Sequence, residues 1–217
     1  MVCYHAAMDA LLKQRVICVA VIDDPNDAVP LAEALLTGGL KVIEVTFRTN
    51  AAAEAIARIR KHAPDAFVGA GTVLTPYQAS QAADAGAQFL VAPGLDEAVL
   101  AAASQRGIPL VPGVLTPTEI SRALNLGLKL LKVFPAEAAG GPAMLKALHG
   151  PFAHTGVRYS PSGGITLPTL PAYLSLKMVA AAGGSWMAER EWIKEQAWEK
   201  ITAVARETVA TVSKCGG

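Results

Sequence analysis

Charged side chains inside stretches that read as buried strands are where this sequence has chemistry to offer, because such strands are otherwise apolar on both faces. One such stretch is Val42-Ile43-Glu44-Val45-Thr46-Phe47-Arg48. Successive side chains of an extended chain point to opposite faces, so Ile43, Val45 and Phe47 share one face and Glu44, Thr46 and Arg48 the other. A carboxylate, a hydroxyl and a guanidinium then project together into the interior, a set suited to proton transfer and to holding an anion. A second stretch, Leu130-Leu131-Lys132-Val133-Phe134-Pro135, puts Lys132 on the face of Leu130 and Phe134, with Leu131 and Val133 opposite. Burial strips an ammonium of hydration and favours the neutral amine, which adds to ketones and forms a Schiff base. Two readings stand open. Glu44 pairs with Arg48 or Lys132 merely to fill the core, or the three converge as acid/base, anion clamp and nucleophile.

Glycine-rich turns supply the next chemistry. Ser162-Gly163-Gly164 and Gly183-Gly184-Ser185 each end a strand-like run. Glycines there let backbone N–H groups approach an anion closely. The bland alternative is a pair of tight turns and nothing more. Gly69-Ala70-Gly71-Thr72 ends another run, where the Thr72 hydroxyl can donate to a substrate carboxylate. It does not open a dinucleotide fingerprint, because Leu74 stands where the third glycine belongs.

These residues need elements to hold them. Strand-like runs begin near Val16, Lys41, Phe67, Gln88, Ile108, Leu128, Val157 and Met178. Between them lie helix-like segments over Asp27–Thr37, Ala51–His62, Pro76–Ala85, Asp96–Gln105 and Pro117–Leu126. Asp24-Pro25, Thr75-Pro76 and Thr116-Pro117 each offer a cap followed by proline at the first helical position. Glycines at 38–39, 86, 107 and 127 mark helix ends. Eight strand-then-helix units predict an α/β fold with a parallel sheet, closed as a (β/α)8 TIM barrel with an extra N-terminal helix before Val16. An open doubly wound sheet is the competitor. The stretch from Ser185 onward reads as one closing helix with an apolar stripe at Ile193, Ala197, Ile201 and Val204. No linker or second domain interrupts residues 1–217, and in a barrel the loops after strands seven and eight are the recurring phosphate site.

The composition agrees with one large core. Of 217 residues, 52% are hydrophobic and 17% charged, with mean hydropathy +0.35, the reverse of a disordered chain. A net charge of +1 provides no global field for nucleic acid or an anionic membrane. No apolar run approaches the ~20 residues that span a bilayer, and residues 1–15 lack the order of a signal peptide. A cytoplasmic protein is the expectation. Cys3, Cys18 and Cys215 are odd in number and far apart, which fits incidental thiols in a reducing compartment. His5, His62, His149 and His154 show no ligand-like spacing, so structural zinc is not expected, while a metal held by scattered carboxylates stays open.

Read together, Glu44-Val45-Thr46-Phe47-Arg48-Thr49, Gly69-Ala70-Gly71-Thr72-Val73-Leu74, Lys132-Val133-Phe134-Pro135-Ala136-Glu137 and Gly183-Gly184-Ser185-Trp186 resemble the class I 2-keto-3-deoxy-6-phosphogluconate (KDPG) aldolases. Many of these also act on 4-hydroxy-2-oxoglutarate. The resemblance runs from Val16 to about Trp186. It implies a homotrimer of barrels, a Schiff-base mechanism without metal or cofactor, a phosphorylated keto acid as substrate and a place in the Entner–Doudoroff route. By position it makes Lys132 the Schiff-base lysine and Glu44 the general acid/base. Arg48 and Thr72 would hold the substrate carboxylate, and Phe134 would wall the pocket. Gly163, Gly164, Gly184 and Ser185 would hold the 6-phosphate. Ser160-Pro161-Ser162 stands where the family usually has Cys-Pro-Thr, so Ser162 keeps the hydroxyl linked to stereochemical choice but lacks its methyl. Ala180-Ala181-Ala182 before Gly183 is smaller than the family's usual strand. Two other readings use the same residues: a sugar-phosphate isomerase or epimerase, with Lys132 as an electrostatic clamp, and a non-catalytic assembly subunit.

Overall fold

The chain is described here by a computed structural model over residues 12–215. Every residue of β1 (Val16–Ala20) and of β2 (Val42–Thr46) is buried, which requires cover on both faces of the sheet. The strands β3 (Phe67–Gly71), β4 (Leu90–Val91), β5 (Leu110–Val111), β6 (Gly113–Val114), β7 (Leu130–Val133), β8 (Arg158–Pro161) and β9 (Ala182–Gly184) follow, alternating with helices. All ladders among them are parallel. The result is an α/β fold whose curled six-stranded sheet has the order β5-β4-β3-β2-β1-β9, beside a three-stranded sheet β6-β7-β8.

The fifth strand-like run divides into β5 and β6 around Pro112, which has no N–H to give a ladder. Its carbonyl still accepts from Lys132 N at 2.8 Å. The eighth run, expected from Met178, forms a regular strand only at Ala182–Gly184, with Val179 joined to Tyr159 by a lone bridge. A second bridge links Ser162 to Gly183. Regular pairing therefore forms two sheets, whose seam between β8 and β9 is closed by those bridges alone.

Alternation sorts the strand side chains into two layers. Val16, Cys18, Ile43, Val45, Leu131 and Val133 pack outward with the helices. Ile17, Val42, Phe89, Val91, Val111, Leu130, Ala180 and Ala181 pack together inside the curl. The expected caps form. Asp24 accepts from Asn26 N at 2.9 Å, and Thr75 accepts from Gln78 N at 3.2 Å. Thr116 and Glu119 cap each other's backbone at the start of helix Pro117–Asn125.

The expectation for the C-terminal segment changes. The single closing helix is instead a short one, Arg190–Lys194, followed by Trp198–Lys214. Gln196 between them takes φ 54°, which no right-handed helix can continue through. Ala197 consequently becomes a cap, and the buried stripe is Ile201, Ala205, Thr208 and Val212. The expected extra N-terminal helix falls largely outside the described residues, of which residues 12–14 are helical. Among the described residues no helix is long and apolar enough to cross a membrane.

Candidate active site

Parallel strands deliver all their C-terminal ends to one side of the sheet, where loops can converge. A cavity of about 530 Å³ opens there. Its walls include Glu44, Arg48, Thr72, Lys132, Phe134, Ser162, Gly163, Gly164, Gly184 and Ser185. All ten residues singled out from the sequence are thus brought to one cavity, from five different strand ends.

Glu44 and Lys132 form its floor. Glu44 is 2% exposed and Lys132 7%. The Lys132 ammonium lies 3.5 Å from Glu44 Oε1 and 5.5 Å from the centroid of the Phe134 ring. Gly71 makes this arrangement possible, because a Cβ there would collide with the Glu44 carboxylate. A pair this deep gains little net stability over apolar residues of the same size, since desolvating two ions offsets their attraction. What it does supply is a fixed negative charge beside a nitrogen. Pairing and catalysis, the two readings left open by the sequence, are then compatible: Lys132 pairs with Glu44 on the floor of an open cavity. A second cavity, of about 10 Å³, adjoins Glu44, Lys132, Ser160 and Ser162 on the interior side. That volume suits a single water.

Arg48 sits two residues past the end of β2, in the following turn. Its Nε–H donates to Thr46 Oγ1 at 3.1 Å, and that hydroxyl donates to the Ala20 carbonyl at 3.1 Å. The relay orients the guanidinium, and among the described residues its terminal nitrogens have no hydrogen-bond partner, which suits them to a planar anion. Thr72 follows β3 with φ 56°, an unusual conformation for a β-branched residue. Phe134 is 40% exposed, a large aromatic face turned to the opening.

The far end is built from backbone. Gly163 and Gly164 have φ 95° and 82°, and a Cβ on Gly163 would press on the Phe134 ring at 3.0 Å. At Gly184 a Cβ would run into the Trp186 ring. Trp186 Nε1 donates to the buried Thr208 Oγ1 at 3.1 Å, tying this end of the cavity to the C-terminal helix. Behind β1, burial and then the Glu44 charge push the Cys18 thiol up to about 12, so it takes no part as a thiolate.

Pro93, Thr166, Trp186 and Glu189 also line the cavity, roles the sequence reading did not give them. Pro93 stands two residues past β4 and Thr166 two residues past Gly164, so strand-end position was the signal for both. Glu189 carried none, because it lies on a turn that reads as helix.

The family model for aldolases described as KDPG and KHG aldolase matches residues 8–204. The chain is 48% identical over 204 residues to the 2-dehydro-3-deoxy-phosphogluconate aldolase of Treponema pallidum (strain Nichols), across 94% of this chain and 96% of that one. It is 46% identical over 204 residues to the KHG/KDPG aldolase of Escherichia coli (strain K12), across 94% and 95%. A crystal structure of KDPG aldolase from Legionella pneumophila, with pyruvate captured at low pH as a covalent carbinolamine intermediate, matches with a TM-score of 0.88. Its identity is 42%, over 93% of this chain and 97% of that one.

Proposed function

This chain belongs to the KDPG and KHG aldolase family, and from that premise we propose that it cleaves 2-keto-3-deoxy-6-phosphogluconate to pyruvate and glyceraldehyde 3-phosphate. It is a class I, Schiff-base aldolase, a carbon–carbon lyase. 4-Hydroxy-2-oxoglutarate, cleaved to pyruvate and glyoxylate, is the second substrate of this reading. The observation that carries it is the buried pair Lys132–Glu44 at 3.5 Å, on the floor of a cavity that also holds Arg48 and two glycine turns. An isomerase or a non-catalytic subunit finds no support among the relatives.

In this mechanism the Lys132 ammonium passes a proton to Glu44, the neutral amine attacks the C2 ketone, and Glu44 returns the proton to the departing hydroxyl, so that water leaves and a protonated imine remains. Glu44, a carboxylate again once water has left, stabilises that cation where it forms. Glu44, through a water, accepts the C4 hydroxyl proton. The C3–C4 electron pair then flows into the imine, giving an enamine and glyceraldehyde 3-phosphate. Protonation at C3 and addition of water release pyruvate and restore Lys132. Arg48 and Thr72 hold the C1 carboxylate. Phe134 covers the imine, and Ser162 faces the carbinol carbon. Gly163, Gly164, Gly184 and Ser185 receive the 6-phosphate on their N–H groups.

The reading places the residues on one (β/α)8 barrel domain across residues 1–217, in a cytoplasmic homotrimer. Its support is the parallel direction of every ladder and the two bridges that join β8 to the chain around β9. Borohydride reduction with pyruvate, followed by peptide mass mapping, tests the function. An adduct on Lys132 is expected, with no turnover in Lys132→Ala. Glu44→Gln should still trap pyruvate while turning over about 10²- to 10⁴-fold more slowly, the range for a lost acid/base group. A folded protein that traps nothing would overturn the proposal.

A further inference from the structure

The glycine end of the cavity has one charged wall, and its sign is negative. Apart from Glu44, Arg48 and Lys132 at the other end, Glu189 is the one charged residue among the described residues that line the cavity. A turn closed by Ala188 N donating to Ser185 O at 3.1 Å precedes Glu189, which lines the cavity together with Ser185 and Trp186. Glu189 occupies the cap position of helix Arg190–Lys194, yet its carboxylate makes no capping bond. Among the described residues no ion pair engages it. The neighbouring cation is spent elsewhere: Arg190 forks onto Asp23, with Nε at 2.7 Å from Oδ2 and a terminal nitrogen at 2.6 Å from Oδ1. The carboxylate therefore meets whatever enters this end without a counter-ion.

We infer that Glu189 is a specificity-determining residue that lowers the affinity of the glycine end for a phosphate dianion. This rests on the proposed function, which puts the substrate phosphate there. Backbone N–H groups bind the dianion and the carboxylate opposes it, so binding is weaker than the glycine turns alone would give. Because Glu189 is exposed, the repulsion is partly screened by water and falls with salt.

The test compares wild type with Glu189→Gln, which keeps the shape and removes the charge, and with Glu189→Ala. The probes are steady-state cleavage of 2-keto-3-deoxy-6-phosphogluconate and calorimetric binding of inorganic phosphate, each at low and high ionic strength. At low ionic strength both variants should show KM and phosphate Kd lower by about threefold to tenfold, and the gap should narrow as salt screens the charge. Unchanged KM and unchanged phosphate Kd would overturn the inference. If wild type releases no pyruvate, the functional reading fails, while phosphate binding still decides the role of Glu189.

Discussion

At the scale of single residues, the site is assembled from groups that are costly to keep. Lys132 and Glu44 are ions held where apolar side chains would pack as well. Thr72 holds a conformation that costs a β-branched residue about 1–3 kcal/mol. The costs are concentrated where a ketone and a carboxylate would bind, which is where strain is expected to be retained for function. Thr72→Gly removes both the strain and the hydroxyl. Thermal unfolding of that variant should show an equal or higher Tm, while KM for the keto acid rises about tenfold, the loss of one hydrogen bond to a charged group. An unchanged KM would remove Thr72 from the carboxylate site.

At the scale of elements, caps decide where helices start and hence where strand ends point. The helix Pro117–Asn125 is the clearest case, because it follows β6 and precedes β7, the strand that carries Lys132. Glu119 Oε2 accepts from Leu115 N at 2.7 Å and Thr116 N at 2.8 Å. Burial raises its carboxyl, but those two N–H groups and the Thr116 hydroxyl outweigh it and hold the group below the usual carboxylate range. A depressed folded value contributes stability above the unfolded value of about 4.3, and loses it as pH falls through the folded value. Unfolding temperatures measured from neutral pH into acid should therefore fall less steeply in Glu119→Gln than in wild type. Thr116→Ala should cost about 1 kcal/mol, the usual worth of a lost cap. Identical acid limbs would mean the box contributes nothing to stability.

At the scale of the whole molecule, the curl of the sheet turns distant segments into one site. β2 and β7 belong to different sheets and are separated by 88 positions at the Glu44–Lys132 contact. Neither sheet alone contains a pair that could form and break an imine. The C-terminal helix then braces the far end through Trp186 and Thr208. Assembly lies beyond one chain. The proposed homotrimer is checked by light scattering on the eluted protein, which should weigh three copies of the 22.5 kDa chain. A monomer that retains full activity would show that assembly is not needed for the site.

Much of this protein follows from the order of its residues. Alternation around Glu44 and Lys132 determined which side chains leave the apolar layer, since a strand has a period of two and no freedom to choose otherwise. Proline-led caps placed the helices at Pro76 and Pro117 for equally local reasons. Local pattern failed where a distant contact overruled it. The chain after Ser185 reads as one helix, but it turns at Ala188 and breaks at Gln196 so that Trp186 can reach Thr208. Pro112 divided a strand that hydropathy leaves continuous. The 3.5 Å between Lys132 and Glu44, the room that Gly71 leaves, and the unpaired carboxylate of Glu189 at the glycine end were decided only by tertiary structure. Each is a distance between segments far apart in the chain or across a turn, and no periodicity within one segment encodes it.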